Sequence, residues 1–287
     1  MARDVVDDRL IGALHVRALT RAGLHHEARA AHTVVQTGTI AALLDGQYHG
    51  NVTVRELLAH GDLGIGTVEH LDGEMLVIDG TAWVVRADGT VVAVPPTTPT
   101  PFAVVCRFDP GPAHELCGPL TFDALSGALD ELAPAAEPVV AVRVDGSFRG
   151  IRLRSVHRQH EPYPPLRDVV HDQTEWTVAG GRDEGGREER VRGTVVGFRF
   201  PDLASGIEVA GYHLHFLADD RARGGHVLDL ELLDGTARVD GAHELRVEVP
   251  DGLGLGEPGG LSGLAGDIAA VEGEHRGGGG AVDDGTL

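Results

Sequence analysis

The chain has 287 residues and a formal charge of −20, set by 24 arginines against 44 acidic residues, with no lysine anywhere. That balance argues against nucleic acid or an anionic membrane as a partner. The missing lysine excludes Schiff-base enzymes, pyridoxal-phosphate enzymes and nucleotidases built on a phosphate-loop lysine.

The 41 glycines forecast many turns, and an aromatic share of 4% forecasts a core of Val, Leu, Ile and Ala. Residues 4–31 read as a helix from the spacing of Val5, Leu10, Ile11, Leu14, Leu19 and Leu24, giving a helical extension over 1–32. Its first residues place Asp where a secretion signal would need an apolar run, and no stretch reaches membrane-spanning length; a cytoplasmic protein is expected. Residues 33–40 read as a strand, and Thr53 caps a helix through His60 with Glu56 at the capping-box position. From 61 to 108 the chain turns to short strands, with hairpin turns at Asp79-Gly80 and Asp88-Gly89. Cys106 and Cys117 fit no zinc or redox spacing and are expected to be buried or half-buried thiols.

Residues 120–132 form an amphipathic helix, and 138–156 read as two strands around Asp145-Gly146. The proline-rich stretch 157–168 is a loop and a domain boundary. Beyond it come a strand, the exposed charged insert GGRDEGGREER and further strands, with a short helix near 264–272. The fold class is α/β with α+β character: two domains of mixed and antiparallel sheets with few helices. The first spans 33–166, the second, β-rich and metal-binding, 167–272, and a disordered tail covers 273–287.

The chemistry concentrates in GYHLHFLADDRARGGHVLDL. His213 and His215 stand two apart on a strand and so point to one face. A loop over ADDRARGG that closes with Leu217 opposite His226 brings the third imidazole to that face. Three imidazoles with an open position describe a catalytic zinc better than a closed structural site. His25, His26, His157 and His160 read as surface or linker residues. A cupin-like dioxygenase or isomerase also places His-X-His on a strand, but needs a glutamate ligand soon after His215, where Phe-Leu-Ala-Asp stands. A non-catalytic metal-binding protein of the same fold is the other alternative.

The same segment resembles the metal-binding hairpin of the bacterial alpha-acetolactate decarboxylases. HGDLGIGTVEHLDGEMLVIDG, ADGTVVAVPPTTPTPFAVV, VRVDGSFRGIRLRSVHRQHEPYPPL and VVGFRFPDLASGIEVAGYH resemble further blocks of that family in the same order, over about residues 33–272. The resemblance implies that His213, His215 and His226 are ligands of Zn2+ or another divalent metal. It places Glu74, Arg154 and Glu272 as catalytic residues beside the metal, and Thr67, Leu71 and Val156 with Arg154 along the substrate pocket. It further implies a homodimer that converts the small anion 2-acetolactate to acetoin and CO2. That substrate is a β-keto acid carrying its own electron sink, so neither lysine nor thiamine is required. The metal is then expected to stabilise an enediolate as a Lewis acid. A glutamate is the easier proton donor, with Arg154 as an electrostatic clamp.

Overall fold

Alternation along the strands sorts apolar side chains onto opposite faces, and two sheets stack on the faces so produced. The computed structural model describes residues 4–182 and 185–249. The first sheet has nine strands in the spatial order Val5–Ile11, Leu14–Leu19, Glu244–Glu248, Thr33–Thr37, Ala103–Cys106, Leu63–Thr67, Glu74–Ile78, Thr81–Val85 and Val91–Ala93. It is mixed, because Glu244–Glu248 runs parallel to both of its neighbours. The second sheet has six antiparallel strands, and Val139–Ser155 pairs with Gly224–Ala242 as well as with Val191–Phe200. Those three strands and Gly211–Ala218 therefore close into a small barrel-like ring.

The ring interior holds Val140, Val142, Phe148, Leu153, Leu214 and Phe216, and the helix Phe122–Leu132 adds Phe122, Leu125 and Leu129 to that cluster. The layer between the sheets combines Val16, Ile65, Leu76 and Val104 from the first with Ala141, Val196, Phe198 and Leu217 from the outside of the ring. Met75, Val77 and Val105 on the far face are covered by Leu24, Val54 and Leu57 of short helices. Each such fully buried side chain contributes about 1.5–3 kcal/mol before entropy is counted. The expected capping box is present: Thr53 accepts from the Glu56 backbone while Glu56 bonds back to the Thr53 N–H.

Three expectations are corrected. The N-terminal segment is not a helical arm but the hairpin Val5–Ile11 with Leu14–Leu19, followed by only a six-residue helix, Arg21–His26. Leu14, Val16 and Ala18 alternate with half-buried residues, and the strand that completes their sheet, Glu244–Glu248, lies more than 200 residues away. Second, Asp145-Gly146 is no turn: Val139–Ser155 is one strand of 17 residues, and Gly224–Ala242 is one of 19, running straight through Asp234-Gly235. Gly146 and Gly235 face each other, and a Cβ on Gly146 would come within 3.0 Å of the Gly235 Cα. Glycine serves close backbone approach there, not reversal. Third, the sheets divide the chain elsewhere than at 166–167, since Val139–Ser155 belongs to the same sheet as Gly211–Ala218 and Gly224–Ala242. Cys106 is buried as expected, but Cys117 is exposed.

Candidate metal centre and active site

On Gly211–Ala218, Leu214, Phe216 and Ala218 enter the ring, so His213, His215 and Leu217 face the first sheet. His215 lies directly opposite His226. The expected register, with Leu217 opposite His226, is displaced by two residues because the loop is tight: the Ala218 N–H donates to the Arg223 carbonyl, and Leu217 faces Gly224. A shift of two keeps every side chain on its face, so the three imidazoles converge regardless. Their ring centroids lie 5.0–5.4 Å apart, and they are 6%, 0% and 2% exposed in the order His213, His215, His226.

The His215 tautomer follows from its partner. Nδ1 lies 2.8 Å from the Met75 carbonyl oxygen, which can only accept, so Nδ1 carries the proton. The lone pair on Nε2 then points into the cluster, where that buried atom has no hydrogen-bond partner. Burial, His213 and Arg154 hold the ring well below the ordinary histidine range despite the Met75 carbonyl, which keeps it neutral. A neutral, buried imidazole whose lone pair faces two other imidazoles fits a divalent transition metal.

Arg154 reaches the same layer through a change of register. Up to Phe148 the even-numbered residues of its strand enter the ring, whereas beyond Gly150 Ile151 and Leu153 do so. The ladder shifts between Arg149 and Arg152, and Gly150 there has φ +57°, so a bulge turns Arg154 outward onto the layer. Arg154 sits opposite His226, 3% exposed, while Arg152 is exposed to solvent. Its Nη1 donates to Gln173 Oε1 at 3.3 Å and lies 3.6 Å from Glu74 Oε1. Glu74 opens the strand Glu74–Ile78 on the face of Leu76 and Ile78, opposite Thr67, and its Oε2 is 3.6 Å from His215 Nε2.

A small pocket opens onto these groups. Glu74, Arg154 and His213 form its polar side, and Thr67, Leu71 and Val156 join Ile40, Leu43 and Leu166 along its wall. The Thr67 hydroxyl donates to the Gly73 carbonyl at 2.7 Å and holds the turn that leads into Glu74. The structure thus brings together the sequence-predicted residues it describes; Glu272, the helix near 264–272 and the tail lie outside the described residues. Two contributors were missed. Glu208 is 0% exposed, with Oε1 3.4 Å from His213 Nδ1, and an acid inside the apolar run GIEVAGYHLHF is the signal that could have found it. Gln173, the partner of Arg154, sits in an ordinary polar stretch and carries no signal.

The alpha-acetolactate decarboxylase family model matches residues 34–254. The alpha-acetolactate decarboxylase of Methylococcus capsulatus is 40% identical over 246 residues, covering 86% of this chain and 91% of that protein. The Klebsiella aerogenes enzyme is 39% identical over 217 residues, covering 76% of this chain and 80% of its own length. The crystal structure of the Bacillus subtilis enzyme superposes with a TM-score of 0.75 at 33% identity, covering 84% of this chain and 99% of that one. With the fold, the site and these relatives in agreement, the chain belongs to the alpha-acetolactate decarboxylase family of carboxy-lyases.

Proposed function

We propose that this chain decarboxylates 2-acetolactate to acetoin and CO2, with His213, His215 and His226 holding a divalent metal, zinc by the chemistry of a three-imidazole donor set. The observation that carries the reading is the buried His215 Nε2, orphaned and aimed at its two neighbours beside Glu74 and Arg154. A metal held there supplies Lewis-acid stabilisation of the negative charge that loss of CO2 leaves on oxygen. The guanidinium of Arg154 takes the substrate carboxylate, and then the enediolate oxygen, through its planar fork. Gln173 fixes that fork from behind. The Glu74 carboxyl, close to both Arg154 and His215, moves the proton to one face of the enediolate. Glu272 is the second carboxyl assigned to that proton path. Leu71, Val156 and Leu166 take the substrate's methyl groups and keep bulk water from the reacting carbon.

Incubation of the purified chain with racemic 2-acetolactate tests this. Equal amounts of CO2 and acetoin, the acetoin of one hand, are expected; no acetoin above the spontaneous rate overturns the reading. Two coarser parts belong with it. A cytoplasmic location is supported by the absence, among the described residues, of any helix long and apolar enough to cross a membrane. A homodimer is supported by the exposed Val6, Leu10 and Leu203 near the outer edge strand, and light scattering reads it.

A further inference from the structure

Among the described residues, one further group of ligand-type side chains lies within reach of a single ion: His49, Glu69 and His70, outside the pocket floor. His49 follows Tyr48 in the segment after the helix Ile40–Leu44, and Glu69 and His70 belong to the turn Glu69–Leu71. Backbone hydrogen bonds anchor the turn that carries His70. The His70 N–H donates to the Tyr48 carbonyl at 2.9 Å, and the Gln159 N–H donates to the His70 carbonyl at 2.8 Å. The rings of His49 and His70 stand 5.5 Å apart, close to the separations in the buried triad.

The oxygens are equally well placed. Glu69 Oε1 is 2.8 Å from His49 Nδ1, and the Gly50 N–H holds Oε2 at 2.6 Å. From the loop 157–165, Glu161 Oε1 lies 2.7 Å from His49 Nε2 and the Tyr163 hydroxyl 2.5 Å from His70 Nδ1. An ordinary surface ion pair would need one imidazole and one carboxylate, and would contribute about 0.2–1 kcal/mol. Here two imidazoles and the Glu69 carboxylate each bring one ligand atom to a common point, while Glu161 meets the other nitrogen of His49 and the Tyr163 hydroxyl lies beside His70. Two imidazoles with carboxylate oxygens are the donor set of zinc and its late first-row neighbours, not of magnesium or calcium.

We propose that His49, Glu69 and His70 form a second site for a divalent transition metal on the rim of the pocket, with Glu161 orienting the His49 ring from its Nε2 side. The site joins two segments that continue into the pocket wall, the one that follows Ile40 and Leu43 and the turn ending at Leu71. Bound metal therefore staples the turn Glu69–Leu71 to the segment that follows the helix Ile40–Leu44, beside the entrance.

The test counts zinc per chain after gel filtration of untagged, full-length protein saturated with zinc chloride. Wild type is expected to carry one zinc more than His49→Ala and one more than His70→Asn, a replacement that tolerates the left-handed backbone at φ +64°. Glu161→Gln, on an exposed side chain, is expected to retain the ion and bind it about tenfold more weakly by calorimetry. Because the readout is a difference between wild type and variants, it stands whether or not the buried triad is loaded. Equal zinc in wild type and either histidine variant, each melting within a few degrees of wild type, overturns the proposal. So does unchanged affinity in Glu161→Gln together with equal counts.

Discussion

Among the described residues, two clusters of ligand-type side chains have similar dimensions and are built by opposite means. The inner one, His213, His215 and His226, stands on paired strands and is almost wholly buried. The outer one, His49, Glu69 and His70, is assembled from a loop and a turn, and its His49 side chain is 58% exposed. Spacing of ring centroids does not separate them. What separates them is how their polar atoms are satisfied. In the inner cluster a carbonyl fixes the tautomer of His215 and leaves a dry lone pair, whereas in the outer one carboxylates and a phenol occupy the ring nitrogens. A metal bound at the first remains beside Arg154 and Glu74, where the lower dielectric strengthens every charge interaction. A metal bound at the second faces water and does structural work.

The sharpest break between the clusters is expected from alanine. His215→Ala should lose its metal and about three or more orders of magnitude in acetoin formation, while His49→Ala should stay within about twofold of wild type in the same assay. Next come the groups beside the inner triad. Glu74→Gln and Arg154→Lys should each lower kcat by about 100-fold to 1,000-fold with bound metal retained, as kinetics and metal analysis on one preparation will read. Glu208→Gln acts through His213 and should weaken inner-site metal affinity by about 10–100-fold in a chelator competition, with kcat at saturating metal nearly unchanged.

The smallest effect lies away from both clusters. Burial pushes the Glu56 carboxyl up, but the Thr53 backbone N–H, Arg21 and the Thr53 hydroxyl outweigh it and hold the group down to about 2. A depressed folded-state value means that the stabilisation is complete above about pH 4.5 and fades as pH falls toward 2. Glu56→Gln should therefore cost about 1 kcal/mol at pH 7 and almost nothing near pH 2, with acetoin formation at pH 7 intact. Urea denaturation at the two pH values measures the difference.

The same contrast explains what could be read from the chain. The inner ligands were legible because a strand has period two: once Leu214 and Phe216 are taken as core, His213 and His215 must share the other face, whatever the length of the next turn. Arg154 was legible only through the family resemblance, since the bulge at Gly150 that turns it toward the metal leaves no mark in the alternation. The outer cluster was invisible because its members lie in two segments joined only by tertiary folding. The N-terminal hairpin was misread for a related reason, its strand partner Glu244–Glu248 lying at the other end of the described chain. Asp145-Gly146 was misleading in a different way. Glycine that permits close strand approach looks like glycine that permits a turn until the opposing strand is known.

The central claim is that the buried triad holds the metal on which decarboxylation depends. The most direct measurement strips the His49→Ala chain of metal with a chelator and follows acetoin formation as zinc is returned. Activity should be absent at the start, rise linearly and reach its plateau at one zinc per chain; the same titration of His215→Ala should restore nothing. Full activity in the metal-free chain, or its recovery in His215→Ala, would contradict the account.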